Sequence, residues 1–108
     1  MGNPATNGAV ILISGRGSNM QALVEAQTGL DVRAVIANRP DAKGLAWAAN
    51  RGIATRVLDH KAYASREAFD ADLVAAIEAT GARWIFLAGF MRILTESFIR
   101  RFERRVVN

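Results

Sequence analysis

Apolar positions along this chain alternate between short unbroken runs and runs at helical spacing. Val10, Ile11, Leu12 and Ile13 form an uninterrupted apolar run, three of them β-branched, the pattern of a strand buried on both faces. Met20, Leu23 and Val24 then recur at helical spacing, with Gly29 as the stop. Residues 32–37 read as a second strand, closed by Asn38-Arg39-Pro40-Asp41, where Pro40 biases Arg39 away from helix. Residues 42–51 read as a short helix with Leu45, Ala48 and Ala49 on one face, ended by Gly52. A third strand is expected at residues 53–58, weakened by Thr55 and Arg56, and a loop follows at 59–64. Ser65 has the character of an N-cap, and residues 65–80 carry the clearest helix, with Phe69, Leu73, Ala76 and Ile77 on one face and Gly81 past its end. Trp84-Ile85-Phe86-Leu87-Ala88 is wholly apolar and therefore expected to be a central strand, broken at Gly89. Residues 95–105 predict a last helix, with Phe98, Phe102 and Val106 as its apolar stripe, and Val106-Val107-Asn108 begins a fifth strand.

Strands alternating with helices at this spacing predict an α/β fold, a doubly wound, Rossmann-like parallel sheet with strand order 3-2-1-4. In such a sheet the ligand lies beyond the carboxyl ends of the strands, where the order reverses, here between strands 1 and 4. That position brings the turn at residues 15–19 and the turn at 89–94 to opposite sides of one crevice. The first turn, Ser14-Gly15-Arg16-Gly17-Ser18-Asn19, leads from a buried strand into a helix, so backbone N–H groups and the helix dipole can together cradle an anion such as phosphate. A plain tight turn, with the glycines supplying backbone angles and Ser18 or Asn19 capping the helix, explains the motif equally well. A dinucleotide fingerprint is only partly present, because Met20 replaces its third glycine and Asn38 and Arg39 stand where an acidic residue is expected. Arg39 suits a 2′-phosphate, which leaves an NADP-type or other phosphate-ligand domain as the alternative.

Composition narrows the classes. A chain of 108 residues, 51% hydrophobic, makes one domain with a core of ordinary size. Residues 1–8 have the composition of a disordered leader, which puts the domain at 9–108. The absence of cysteine excludes disulfides and thiolate metal sites, no metal is expected, and the lack of a signal or membrane-length apolar run makes the cytoplasm the default location. Net charge is +4, and residues 100–105 alone carry four arginines against one glutamate. This run reads as the solvated face of the last helix, since it lacks the interleaved exposed aromatics of a nucleic-acid surface.

Four segments then carry a resemblance to the phosphoribosylglycinamide formyltransferase family. They are Ile13-Ser14-Gly15-Arg16-Gly17-Ser18-Asn19-Met20-Gln21-Ala22, Gly52-Ile53-Ala54-Thr55, Ser65-Arg66-Glu67-Ala68-Phe69-Asp70 and Leu87-Ala88-Gly89-Phe90-Met91-Arg92-Ile93-Leu94. The resemblance implies formyl transfer from 10-formyltetrahydrofolate to the amine of glycinamide ribonucleotide, in purine biosynthesis. On it, Gly17, Ser18 and Asn19 bind the substrate phosphate, Arg66 contacts the folate, and Met91, Arg92, Ile93 and Leu94 line the folate pocket through backbone groups. Asn108 matches the catalytic asparagine. Read without the family, Arg66 is a solvated first-turn residue, Met91, Ile93 and Leu94 are core, and Asn108 carries no function.

The family motif continues Asn-Ile-His-Pro-Ser and adds a later aspartate, positions this sequence does not contain. His60, the one histidine, falls in the loop after strand 3 and reads as a solvated residue. The chain is therefore expected to be the N-terminal half of such an enzyme, truncated at its C-terminal end and inactive alone. The missing C-terminal half would be its partner. Strand 4 would otherwise be an exposed edge, which predicts self-association, for instance as a homodimer.

Overall fold

Alternate side chains of β1 (Gly8–Ile13) enter two different cores, Val10 and Leu12 on one face of the sheet and Ile11 and Ile13 on the other. That is the physical reason the strand is apolar without interruption. The computed structural model describes residues 7–26 and 29–108. After β1 come α1 (Ser18–Glu25), β2 (Asp31–Ala37), α2 (Gly44–Asn50), β3 (Thr55–Val57), a 3-10 turn (His60–Ala62), α3 (Arg66–Thr80), β4 (Trp84–Leu87), α4 (Glu96–Arg101) and β5 (Val106–Val107). Every strand pair is parallel, and the order is β3-β2-β1-β4-β5. The expected 3-2-1-4 order is present, with β5 added outside β4.

Helices cover both faces. Phe69, Leu73 and Ile77 of α3, Phe98 of α4 and the following Phe102 are buried with Val10, Leu12, Ile36 and Ile85. Met20 of α1 and Ala48 of α2 are buried with Ile11, Ile13 and Val35 on the opposite face. Each fully buried side chain of this size contributes about 1.5–3 kcal/mol, so the long α3 and the two phenylalanines around α4 hold the first core. Tyr63 adds an edge-to-face contact on Phe69, with ring centroids 5.4 Å apart.

Local signals set the α3 boundaries. Ser65 is extended, its Oγ accepts the Ala68 N–H at 3.0 Å, and Gly81 closes the helix at φ 70°. Ser65→Ala is expected to lower unfolding free energy by about 1 kcal/mol, read as a shift of the denaturant midpoint with the slope unchanged.

Several boundaries differ from expectation. Residues 1–6 of the expected leader lie outside the described residues, but Gly8 is the first residue of β1, pairs with Asp31 and accepts the Arg83 N–H at 3.0 Å. Its polar neighbours hid this, because strand pairing uses only the backbone. α1 ends at Glu25, before Gly29, and residues 27–28 are outside the described residues. β3 shrinks to Thr55–Val57, whose three residues are exposed as an edge strand allows. The last helix is the largest correction, since α4 stops at Arg101, Arg104 takes φ 66° and Val106 belongs to β5. Parallel pairing with β4 outweighs helix continuation there: Ile85 N–H donates to Arg105 O at 2.8 Å, and Val106 reaches the same core as Phe98 and Phe102 from a strand. β4 is consequently no open edge, because β5 pairs with Ile85 and Phe86.

Candidate functional site

β2 and β4 flank β1, so the connections leaving β1 and β4 diverge at the carboxyl edge of the sheet and leave a crevice. A cavity of about 340 Å³ occupies it, lined by residues 14–19 on one side, Ala88, Gly89 and Met91 on the other, and Arg39 from beyond β2. Both expected loops therefore face one space.

Gly17 turns the chain from β1 into α1 with φ 75° and ψ 32°, a left-handed conformation that glycine adopts without strain. No side chain caps α1, so the N–H groups of its first turn, at Ser18 and Asn19, have no intrahelical acceptor and remain for a ligand. The capping role open to Ser18 or Asn19 is not filled. Arg16 and Arg39 are the charged residues of the lining, and no carboxylate joins them. Arg39 pairs with Asp41 at 3.2 Å, but both are largely exposed, and such a pair is worth about 0–1 kcal/mol, so an anion can compete for it.

Met20 and Gly44 explain how the turn closes without the third glycine of a dinucleotide site. A Cβ on Gly17 would stand 2.7 Å from Met20 Cε, and one on Gly44 would stand 2.7 Å from Ile13 Cδ1 and 3.0 Å from Arg16 O. Gly44 N–H also donates to Gly15 O at 3.0 Å. Close approach is thus achieved by the start of α2 against the loop, and the methionine fills the space. Gly44 was missed in the sequence, where a glycine inside a helical run reads only as a weak point.

The second loop is pinned by its backbone. Gly89 opens it at φ 74°, Met91 N–H donates to Ser14 Oγ at 2.6 Å, and Thr95 N–H donates to Asp70 Oδ2 at 2.7 Å. Between these points the Arg92 guanidinium lies over the Phe69 ring, 4.4 Å from its centroid. Met91 and Ile93 are 82% and 70% exposed, so neither is the core residue it would be on pattern alone, whereas Leu94 packs on the core. Asp70 Oδ1 and Arg92 Nε are buried without a partner.

Of the expected site residues, Arg66, Arg92, Ile93, Leu94 and Asn108 do not line the cavity. Arg66 opens α3, whose N-terminus follows the carboxyl end of β3 and so lies at the same sheet edge. Asn108 stands one residue past β5, and β5 runs parallel to β4, so Asn108 too is at the carboxyl edge, next along from the 89–94 loop. His60 departs from its expected solvated state: it is half-buried, with Nδ1 2.9 Å from Asn38 O. Tyr63 donates to Asp72 at 2.9 Å, and this bond first, with burial and the carboxylate charge behind it, raises the phenol above its ordinary pKa.

Three of the four arginines in the 100–105 run are engaged within the fold. Arg100 pairs with Glu96, Arg101 with Glu78, and Arg105 Nε donates to Arg83 O at 2.9 Å. Phe98 and Phe102 are buried beneath it, which leaves no exposed aromatics of the kind that stack on bases. Among the described residues no group of three or more His, Cys, Asp or Glu side chains is placed to hold a metal. No helix among them is long and apolar enough to cross a membrane.

Comparison with known proteins points the same way as the geometry. The family model described as formyl transferase matches residues 8–108. Phosphoribosylglycinamide formyltransferase of Escherichia coli (strain K12) is 44% identical over 103 residues, which are 92% of this chain and 49% of that protein. The trifunctional purine biosynthetic protein adenosine-3 of Drosophila melanogaster is 44% identical over 104 residues, 91% of this chain and 8% of that one. Among solved structures, phosphoribosylglycinamide formyltransferase from Coxiella burnetii superposes with a TM-score of 0.89 at 38% identity, covering 92% of this chain and 48% of that one. The enzyme of the same description from Brucella melitensis gives 0.89 at 41% identity, with coverages of 93% and 54%. The chain thus spans about half the length of the single-function relatives it matches.

Proposed function

This chain belongs to the formyl transferase family, and we propose that it serves formyl transfer from 10-formyltetrahydrofolate to the amine of glycinamide ribonucleotide, a cytoplasmic step of purine synthesis. The observation that carries this reading is a single cavity with an uncapped helix N-terminus on one wall and Gly89 and Met91 of the second loop on the other. The ribonucleotide phosphate is taken by the first-turn backbone at Gly17, Ser18 and Asn19, with Arg16 and Arg39 as the surrounding positive charge. The folate is taken by Met91, Arg92, Ile93 and Leu94, with Arg66 contributing from the start of α3. Attack of the neutral amine on the formyl carbon forms a tetrahedral intermediate whose oxygen becomes negative, and the Asn108 side-chain amide donates to that oxygen; collapse breaks the bond from the formyl carbon to N10 of the folate, which leaves as tetrahydrofolate with the proton that the amine gives up. Proton transfer from the amine is assigned to none of these residues.

The test is formyl transfer by the protein expressed from its whole reading frame, followed through the absorbance of the folate donor. Glycinamide ribonucleotide is expected to be formylated stoichiometrically with donor consumed. Absence of transfer together with selective binding of NADP would overturn the reading in favour of a dinucleotide domain. Chemical-shift titration with the ribonucleotide is expected to move Gly17, Ser18 and Asn19 and to leave residues 100–105 unmoved. The reverse pattern would reject the phosphate assignment.

A further inference from the structure

We infer that Ser14 is a positioning residue for the 89–94 loop, so that donor binding depends on a hydroxyl at the end of β1; this deepens the formyl-transfer reading and rests on it. Ser14 is 6% exposed, donates its hydroxyl hydrogen to Asn38 Oδ1 at 2.6 Å and accepts the Met91 N–H at 2.6 Å. One small group therefore joins the carboxyl ends of β1 and β2 to the loop after β4. Its acceptor is fixed in turn: Asn38 is 2% exposed, its N–H donates to Ile13 O at 3.3 Å, and its carbonyl accepts the His60 N–H at 3.2 Å.

Besides this hydrogen bond, that end of the loop is held by Phe90, half-buried against the core, and by the Ala88 N–H, which donates to Leu12 O at 3.0 Å. Met91 and Ile93 point their side chains into solvent, and the other anchors, Arg92 over Phe69 and Thr95 on Asp70, lie further along. Alanine at position 14 leaves the Met91 N–H without an acceptor and Asn38 Oδ1 without a donor, and both groups then seek new partners by moving. A serine or threonine hydroxyl can donate and accept at once, which is what this position uses. Because the phosphate contacts lie beyond it at Gly17 to Asn19, loss of the hydroxyl falls on the donor side of the cavity.

The experiment compares wild type, Ser14→Ala and Ser14→Thr by steady-state formyl transfer, together with amide hydrogen exchange at Met91. Ser14→Ala is expected to raise KM for 10-formyltetrahydrofolate about tenfold or more while KM for glycinamide ribonucleotide stays within about twofold, and Ser14→Thr is expected to restore most of the loss. Met91 in the wild type is expected to exchange slowly, and in Ser14→Ala at the rate of an open loop amide. An unchanged donor KM in Ser14→Ala, or equal rises for both substrates, overturns the inference. Should Ser14→Ala fail to fold, fast Met91 exchange in the wild type overturns it, and slow exchange with a near-normal donor KM in Ser14→Thr supports it. A wild type that binds no folate and transfers no formyl group refutes the functional reading instead, whatever Met91 shows.

Discussion

Asn108→Ala is expected to lower kcat for formyl transfer about 10²- to 10³-fold, with KM for both substrates little changed. The size follows from removing one preorganised donor from an oxyanion, which costs about 2.7–4 kcal/mol of transition-state stabilisation. The selectivity for kcat follows because the amide is needed only when charge develops on the formyl oxygen, and neither ground-state ligand relies on it. β5 pairs with Ile85 and Phe86 and so carries Asn108 to the carboxyl edge of the sheet, the edge at which the proposed role requires it. Asn108→Asp, which keeps the shape and loses the donor, is expected to fall at least as far. A kcat within about threefold of wild type in Asn108→Ala, measured by single-turnover transfer, would remove the role assigned to it.

Gly17→Val is expected to raise KM for glycinamide ribonucleotide about 100-fold or more, while KM for the folate donor changes little. Valine is strained at φ 75°, a backbone conformation that β-branched side chains rarely adopt, and its Cβ would also fall 2.7 Å from the terminal carbon of the fully buried Met20. The turn must therefore shift, and the first-turn amides lose their aim. Two charge-assisted hydrogen bonds at about 1.5–3 kcal/mol each account for the expected loss. Circular dichroism and the unfolding midpoint report whether the fold survives. A folded Gly17→Val protein with unaltered ribonucleotide KM would show that the phosphate is bound elsewhere.

The arrangement of the site gives the two predictions different signatures. Gly17 lies at the switch point between β1 and β4, on one wall of the cavity, whereas Asn108 lies outside that lining, at the neighbouring strand position of the same edge. A double variant should accordingly lose the product of the two single effects, since the residues share no partner.

Much of this was legible in the sequence because it depends on local chemistry. The unbroken run at residues 10–13 and the apolar residues at 84–88 identify strands covered on both faces, and Phe69, Leu73 and Ile77 identify the covered face of α3. Alternation of such elements leaves few topologies, and so the 3-2-1-4 order and the meeting of the two loops could be derived before any coordinates. Ser65 and Gly81 mark the α3 ends because a cap is a contact over three residues. The glycine at position 17 was likewise visible as a turn residue.

What only the tertiary structure decided depends on partners far apart in the chain. Gly8 joins β1 because Asp31 and Arg83 offer backbone partners, and α4 ends early because pairing with β4 captures Val106. No local pattern contains that competition between one more helical turn and a strand 21 residues away in sequence, as Ile85 is from Val106. Ser14, Asn38, Asp70 and Gly44 were ordinary letters for the same reason. Their roles consist of a hydroxyl 77 positions from the amide it accepts, a carboxylate 25 positions from the N–H it holds, and a missing Cβ that lets two segments touch. Burial pattern and capping are written within a few residues, but a hydrogen bond that joins the ends of three strands exists only once the sheet has brought them together.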